Sequence, residues 1–253
     1  MRMLNIPLQG ASYDIWDKKY RLKSKDGLPI DGSVEATYER VAIALADVEA
    51  TTENKQLWAK KFLEALHYGA TPAGRIISNA GALEHKPATS TINCTVSGTV
   101  DDSMEGILDR LHEAGLTLKA GCGIGYDFST LRPKGAYVSG AGAFTSGPLS
   151  FMDIYDKMCF TISSAGGRRG AQMATFDIGH PDVMDFIKAK REDGRLRQFN
   201  LSLLITSEFM EAVINDRDWD LYFPLQAKEV EQDAIDLTAS DILWKEWPTT
   251  NNL

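Results

Sequence analysis

The sequence predicts an α/β protein in which a helical N-terminal segment precedes a region of alternating strands and helices. Three observations carry that prediction. Apolar residues recur at three- and four-residue spacing within residues 1–90. From residue 91 onward, short runs of period two alternate with helical runs. Five strand-like runs are present in that second part, residues 91–253. Five strands are too few to close a barrel, so the fold is either an open α/β sheet or a truncated barrel.

The elements justify this in order. "VEATYERVAIALADVE" and "NKQLWAKKFLEALHYG" are amphipathic helices, the second stopped by Gly69. "TINCTVSGTV" places Ile92, Cys94 and Val96 on one side of a strand. "DDSMEGILDRLHEAGLTLK" is a helix with Met104, Ile107, Leu108, Leu111 and Leu118 on one face, opened by a capping pair, Asp102 and Glu105. "GIGYDF" alternates Ile124, Tyr126 and Phe128, and "PLSFMDIYDKMCFTISS" is a helix starting at Pro148. "QMATFDI" is a strand and "HPDVMDFIKAK" a helix. "FNLSLLI" is a strand, "TSEFMEAVIND" a helix capped by Thr206 or Ser207, and "WDLYF" the fifth strand.

Composition excludes several function classes. The chain has 253 residues, 43% of them apolar, enough for a substantial core. Its net charge of −8 argues against a nucleic-acid binder, so an anionic ligand must be held by a local cluster of donors. No run is long and apolar enough for a membrane span and "MRMLNIPLQG" is no signal peptide, so the expected location is cytoplasmic. Cys94, Cys122 and Cys159 have no CxxC or Cys/His spacing, which disfavours a disulfide framework or a zinc site.

Two loops stand out. "SSAGGRRGAQ" sets Arg168 and Arg169 between glycines, where a guanidinium fork suits phosphate or a base edge. "STLRPKGAYVSGAGAFTSGP" is a long loop carrying Arg132 and Lys134, and long loops in compact domains are usually functional or mobile. Both flank one helix, so they can converge near Asp102 as a nucleotide site. The plain alternative for each loop is a solvated turn. "AGCGIGYD" is GxGxG rather than GxGxxG and no P-loop is present, which disfavours a Rossmann dehydrogenase or a P-loop enzyme.

At this point four linked segments carry a resemblance. "NAGALEHKPATSTINCTVSGTVDDSMEGI", "AGCGIGYDFSTLRPKG", "SSAGGRRGAQMATFDIGHPDVMDFI" and "FNLSLLITSEFM" occur in the order and spacing seen in the large subunit of ribonucleotide reductase. The third segment looks most like the class II, adenosylcobalamin-dependent enzymes. The resemblance implies the first half of a ten-stranded α/β barrel. It implies that Cys94 is one member of the cysteine pair whose oxidation reduces the substrate, with a thioredoxin-like reductant restoring it. Asn93 and the backbone at Gly121 fall where the family holds substrate ribose and phosphate, and Thr71 or Ser78 supplies a hydroxyl for phosphate. Asp102 matches the carboxylate that contacts the sugar of a deoxynucleotide effector. Arg132 and Lys134 lie in the first specificity loop, and Arg168 and Arg169 in the second, which couples effector to substrate base.

Departures from the family pattern set further expectations. The Asn-x-Cys-x-Glu radical loop is absent, as is the second redox cysteine. By itself the chain is expected to reduce nothing and to need a C-terminal reductase fragment, which would also hold most of the cobalamin contacts. A half-barrel should expose two strand edges and an apolar interior face, prone to association, and is compatible with a homodimer. The alternative function is a non-catalytic nucleotide-binding or assembly protein that retains the half-barrel.

Overall fold

In the computed structural model the described residues are 8–86, 90–138, 141–165, 170–191, 195–224 and 244–246. They form two compact units: Met1–Cys94 with Ala120–Cys122, and Thr95–Lys119 with Gly123–Leu253.

The first unit is helical: α1 (Gly10–Ile15) running into a π-helical turn (Trp16–Tyr20), α2 (Val34–Ala46), α3 (Thr52–His67) and α4 (Gly74–Asn79). Ser33 caps α2 by accepting from the Ala36 amide, and Thr51 caps α3 by accepting from that of Asn54. Gly69 adopts φ +93° just past α3, the left-handed stop that the sequence predicts. Val41, Ala42, Leu66 and Ala80 form a small core, with Phe62 and Ile76 packed on it.

A core so small is reinforced by a polar network. Asp31 is buried, accepts from the Leu22 amide and from Thr37 Oγ1, and pairs with Arg40 at 2.8 Å. Arg40 also donates to the carbonyls of Ile77 and Ala80. Burial pushes the Asp31 carboxyl up, but the hydrogen bonds from Arg40, Thr37 and Leu22 outweigh it and hold the group below its ordinary value.

The main sheet has strands β1 (Cys94–Val96), β2 (Gly123–Asp127), β5 (Gln172–Asp177) and β6 (Phe199–Leu204), in the order β1-β2-β5-β6, and all but Cys94 of it belongs to the second unit. The β2–β5 and β5–β6 pairs are parallel, with Ile124 opposite Gln172 and Gln172 opposite Phe199. Helices α6 (Pro148–Ala165) and α7 (Val183–Lys188) make the crossovers from β2 to β5 and from β5 to β6, as parallel pairing requires, and α5 (Met104–Lys119) lies between β1 and β2. The core joins Ile124, Tyr126 and Phe128 to Ile107 and Leu118 of α5 and to Met152, Tyr155 and Cys159 of α6. Gln172, buried in this core, accepts from Tyr126 Oη at 3.0 Å and donates to the Tyr155 carbonyl at 3.1 Å. Tyr155 Oη in turn donates to the Ile107 carbonyl at 2.6 Å, so sheet and helices share one satisfied polar relay.

The structure corrects several expectations. On α5, Met104 and Leu108 are exposed while Ile107 and Leu118 are buried, because periodicity locates a stripe without showing how far the sheet beneath it extends. The α5 cap is Ser103, whose Oγ accepts from the Gly106 amide at 3.0 Å. Asp102 is instead engaged by a residue thirty positions away. The long loop contains an antiparallel ribbon, β3 (Tyr137–Val138) with β4 (Ala143–Phe144). The fifth predicted strand, β7 (Tyr222–Pro224), follows α8 (Ser207–Ile214), which Thr206 caps, but it does not extend the main sheet. It pairs with β8 (Trp244–Glu246), and Tyr222 donates to the Gly179 carbonyl beyond the end of β5. Trp219, bonded through Nε1 to the Ile178 carbonyl and stacked edge-on against Phe209, carries the chain to that position.

The sheet side opposite the core also differs from expectation. Alternation places Met173, Thr175 and Asp177 of β5 with Asn200, Ser202 and Leu204 of β6 on it, all exposed or half-buried among the described residues. Only Met173 and Leu204 of these six are apolar, so on these two strands that side is mainly polar.

Candidate functional site

The first unit gathers the residues expected to meet a substrate. Cys94 opens β1 and is exposed, while Cys122 and Cys159 are buried. The Asn93 side-chain amide lies 3.5 Å from Cys94 Sγ, within donating distance of sulfur. The backbone leading there is held from two sides. Asn79, at the end of α4, donates to the Ser90 carbonyl at 2.8 Å, and Cys122 donates its thiol hydrogen to the Ile92 carbonyl at 3.0 Å.

Gly121 takes φ +78°, a left-handed conformation suited to glycine. A β-carbon there would collide with Arg75 Nη2, because the Arg75 guanidinium lies over this turn and donates from Nη1 to the Ala120 carbonyl at 3.1 Å. Arg75 Nε is buried, with no hydrogen-bond partner among the described residues. Arg75 and Asn79 are four residues apart in α4, the spacing that puts two side chains on one helical face.

The two candidate phosphate hydroxyls differ. Thr71 is exposed ahead of α4, its Oγ1 3.3 Å from the Gly69 carbonyl. Ser78 lies inside α4, half-buried, with its Oγ 3.5 Å from the carbonyl of Arg75 one turn back.

The second unit gathers three of the expected effector residues. Arg132 Nε and Asp102 Oδ2 form an ion pair at 2.7 Å, with side chains 15% and 14% exposed, and the Arg132 amide donates to Asp102 Oδ1 at 3.1 Å. Arg132 Nη1 reaches on to the Tyr137 carbonyl in β3 at 2.7 Å. This ties the loop ribbon to the start of α5. The Lys134 amide donates to Asp182 Oδ2 at 2.8 Å, and burial pushes the Asp182 carboxyl up. Lys134, Lys188 and Arg195 line a cavity of about 400 Å³ at the start of α6 together with the carboxylates of Asp182 and Asp185 and the hydroxyls of Ser146 and Ser150. Arg168 and Arg169 lie outside the described residues.

A larger cavity, about 1090 Å³, lies beyond the carboxyl ends of β2 and β5, lined by Ser129, Asp177, His180, Trp219 and Phe223 among others. His180 beside it is buried with both ring nitrogens in use. Its Nδ1 accepts from the Asp182 amide, which leaves the proton on Nε2 to donate to the Leu131 carbonyl at 2.9 Å. Burial pushes the imidazole down to about 4, against the hydrogen bond to Leu131. It is a neutral bracket, tilted against the Phe176 ring at 4.5 Å between centroids, between the end of β5 and the loop after β2.

Sequence reasoning missed Arg75, Asn79 and Cys122. The four-residue spacing of the first two was a readable signal; the Cys122 bond to Ile92 left none.

Residues 8–84 match the family described as "Ribonucleotide reductase, all-alpha domain", and residues 92–242 match "Ribonucleotide reductase, barrel domain". The chain therefore belongs to the ribonucleotide reductase large-subunit family. Within that family it is similar to proteins named vitamin B12-dependent ribonucleoside-diphosphate reductase. The one from Mycobacterium tuberculosis (strain CDC 1551 / Oshkosh) is 34% identical over 212 residues, 82% of this chain and 30% of the relative. The one from Thermoplasma acidophilum is 30% identical over 260 residues, 92% of this chain and 33% of the relative. A ribonucleoside-diphosphate reductase subunit alpha from Helicobacter pylori (strain J99) is 30% identical over 219 residues. The chain thus spans about a third of the length of the relatives it matches. No helix among the described residues is long and apolar enough to cross a membrane.

Proposed function

We propose that this chain is the N-terminal portion of a vitamin B12-dependent ribonucleotide reductase acting on ribonucleoside diphosphates, the substrate class in its relatives' names. The reaction replaces the ribose 2′ hydroxyl by hydrogen through thiyl-radical chemistry. The hydroxyl leaves as water, and a cysteine pair supplies two electrons as it closes to a disulfide, which a thioredoxin-like reductant reopens. The observation that carries this reading is the exposure of Cys94, with the Asn93 amide at its sulfur, while the other two cysteines are buried.

Within residues 1–90, Thr71 is the better phosphate ligand of the two hydroxyls, because it is exposed and Ser78 is turned into its own helix. Asn93 and the Gly121 turn complete the substrate side. Within residues 91–253, Asp102 receives the sugar of a deoxynucleotide effector, held in orientation by Arg132, while Lys134, Arg168 and Arg169 supply positive charge to its phosphates and to the coupling loop. The parallel pairing of β2 with β5 and of β5 with β6 suits the ten-stranded barrel, of which this would be the first half.

His180, the buried histidine beyond the end of β5, has both ring nitrogens engaged and so offers no free axial nitrogen to the cobalt of a cobalamin. A C-terminal reductase fragment would supply the cofactor's contacts, the radical cysteine and the second redox cysteine.

Purification from the native source, with intact mass of the chain and of anything bound to it, tests this assembly. The reading expects either a longer chain or a stoichiometric partner containing an Asn-x-Cys-x-Glu loop. A lone chain of 27.9 kDa that binds deoxynucleotide would instead support a non-catalytic nucleotide-binding protein.

A further inference from the structure

We propose that Cys122 and Arg75 are positioning residues for Cys94, and that the Cys122 thiol serves as a structural hydrogen-bond donor. The proposal rests on the reading of Cys94 as the redox cysteine.

Cys94 must present its sulfur in a fixed place, yet little packing holds it. It is exposed, and the Ile92 side chain two residues earlier is 58% exposed, so apolar burial does not anchor this segment. The backbone has to be held by its own polar groups instead. The Ile92 amide donates to Ser90 Oγ at 3.0 Å, Asn79 holds the Ser90 carbonyl, and Cys122 holds that of Ile92.

Cys122 can do this only if its own turn is fixed. Gly121 supplies the left-handed backbone, and Arg75 pins the preceding carbonyl, Ala120. Leaving Arg75 Nε buried with no partner among the described residues carries a desolvation cost, an arrangement that proteins keep where position matters more than stability. Helix α4 thus grips the chain on both sides of the thiol, through Asn79 before it and through Arg75, Ala120 and Cys122 beside it.

The test is the rate at which Cys94 is labelled by N-ethylmaleimide in the folded chain, quantified peptide by peptide so that loss of another cysteine does not confuse it. Cys122→Ala frees the Ile92 carbonyl, loosens the Asn93–Cys94 contact and should change the Cys94 rate about threefold or more, the scale of one lost hydrogen bond of modest net strength. Cys122→Ser restores a donor and should return the rate to the native value. Arg75→Met, which keeps the apolar stem but loses the bond to Ala120, should change the rate in the same direction as Cys122→Ala. Cys159→Ala removes a buried cysteine from the other unit and should leave the rate unchanged. A native Cys94 rate in both Cys122→Ala and Arg75→Met, or an equal change in Cys159→Ala, would overturn the proposal. Labelling does not require turnover, so its outcome is independent of whether the reductase reading holds.

Discussion

Arg132 and Asp102, thirty positions apart in sequence, form an ion pair at 2.7 Å that joins the loop after β2 to the start of α5. Both side chains are mostly buried, so removing one charge leaves the other partly desolvated and without this ion pair. Asp102→Asn should therefore destabilise the chain by about 2 kcal/mol, between the values typical of surface and of buried pairs. It should also abolish deoxynucleotide binding. Urea unfolding and equilibrium dialysis check the two halves; unchanged binding would remove Asp102 from the effector site.

His180 gives the chain an acid-sensitive bracket. Its folded value of about 4 lies below the ordinary 6.5, so the unfolded chain binds the extra proton first. Stability from this residue is complete above about pH 6.5 and falls as pH drops toward 4, by about 3 kcal/mol for a shift of that size. Unfolding midpoints measured across that window should decline in the native chain, and the decline should flatten in His180→Gln.

Asp31 acts lower on the pH scale. Its folded value lies below the ordinary 3.8, so its contribution is present above that value and is lost only as pH falls through the depressed one. Asp31→Asn removes the partner of Arg40, whose side chain is 12% exposed, and should cost about 3 kcal/mol near neutral pH. Thermal unfolding of the variant at pH 7 checks this, and a native midpoint would show that the Arg40 bonds to Ile77 and Ala80 suffice alone.

Gly121→Ala combines two penalties, a strained backbone and a collision with Arg75. The double variant with Arg75→Ala relieves only the collision. It should recover part of the lost stability but retain about 1 kcal/mol from the left-handed backbone. A fully additive double-mutant cycle would mean that the guanidinium simply swings aside.

What could be read from the sequence was what repeats locally. The period-two run Ile124, Tyr126, Phe128 gave the buried side of β2, and Gly69 gave the end of α3. Charged partners distant in sequence left no such trace. Asp102 looked like half of a capping pair because spacing alone was available, whereas its partner Arg132 is brought in by the turn of the loop after β2. The run "WDLYF" has a strand's pattern, but its neighbour was decided by Trp219 docking on Ile178, a tertiary contact. Cys94, Asn93 and Gly121 were named from family resemblance; the grip of Arg75, Asn79 and Cys122 on that segment became visible only in three dimensions.

The most direct test of the central claim is turnover of a ribonucleoside diphosphate by this chain complemented with the unmatched remainder of the Mycobacterium tuberculosis relative, adenosylcobalamin and a dithiol reductant, using native chain and Cys94→Ser in parallel. The account predicts multiple turnovers to deoxynucleotide with the native chain and none with Cys94→Ser. Equal multiple turnover with Cys94→Ser would contradict it.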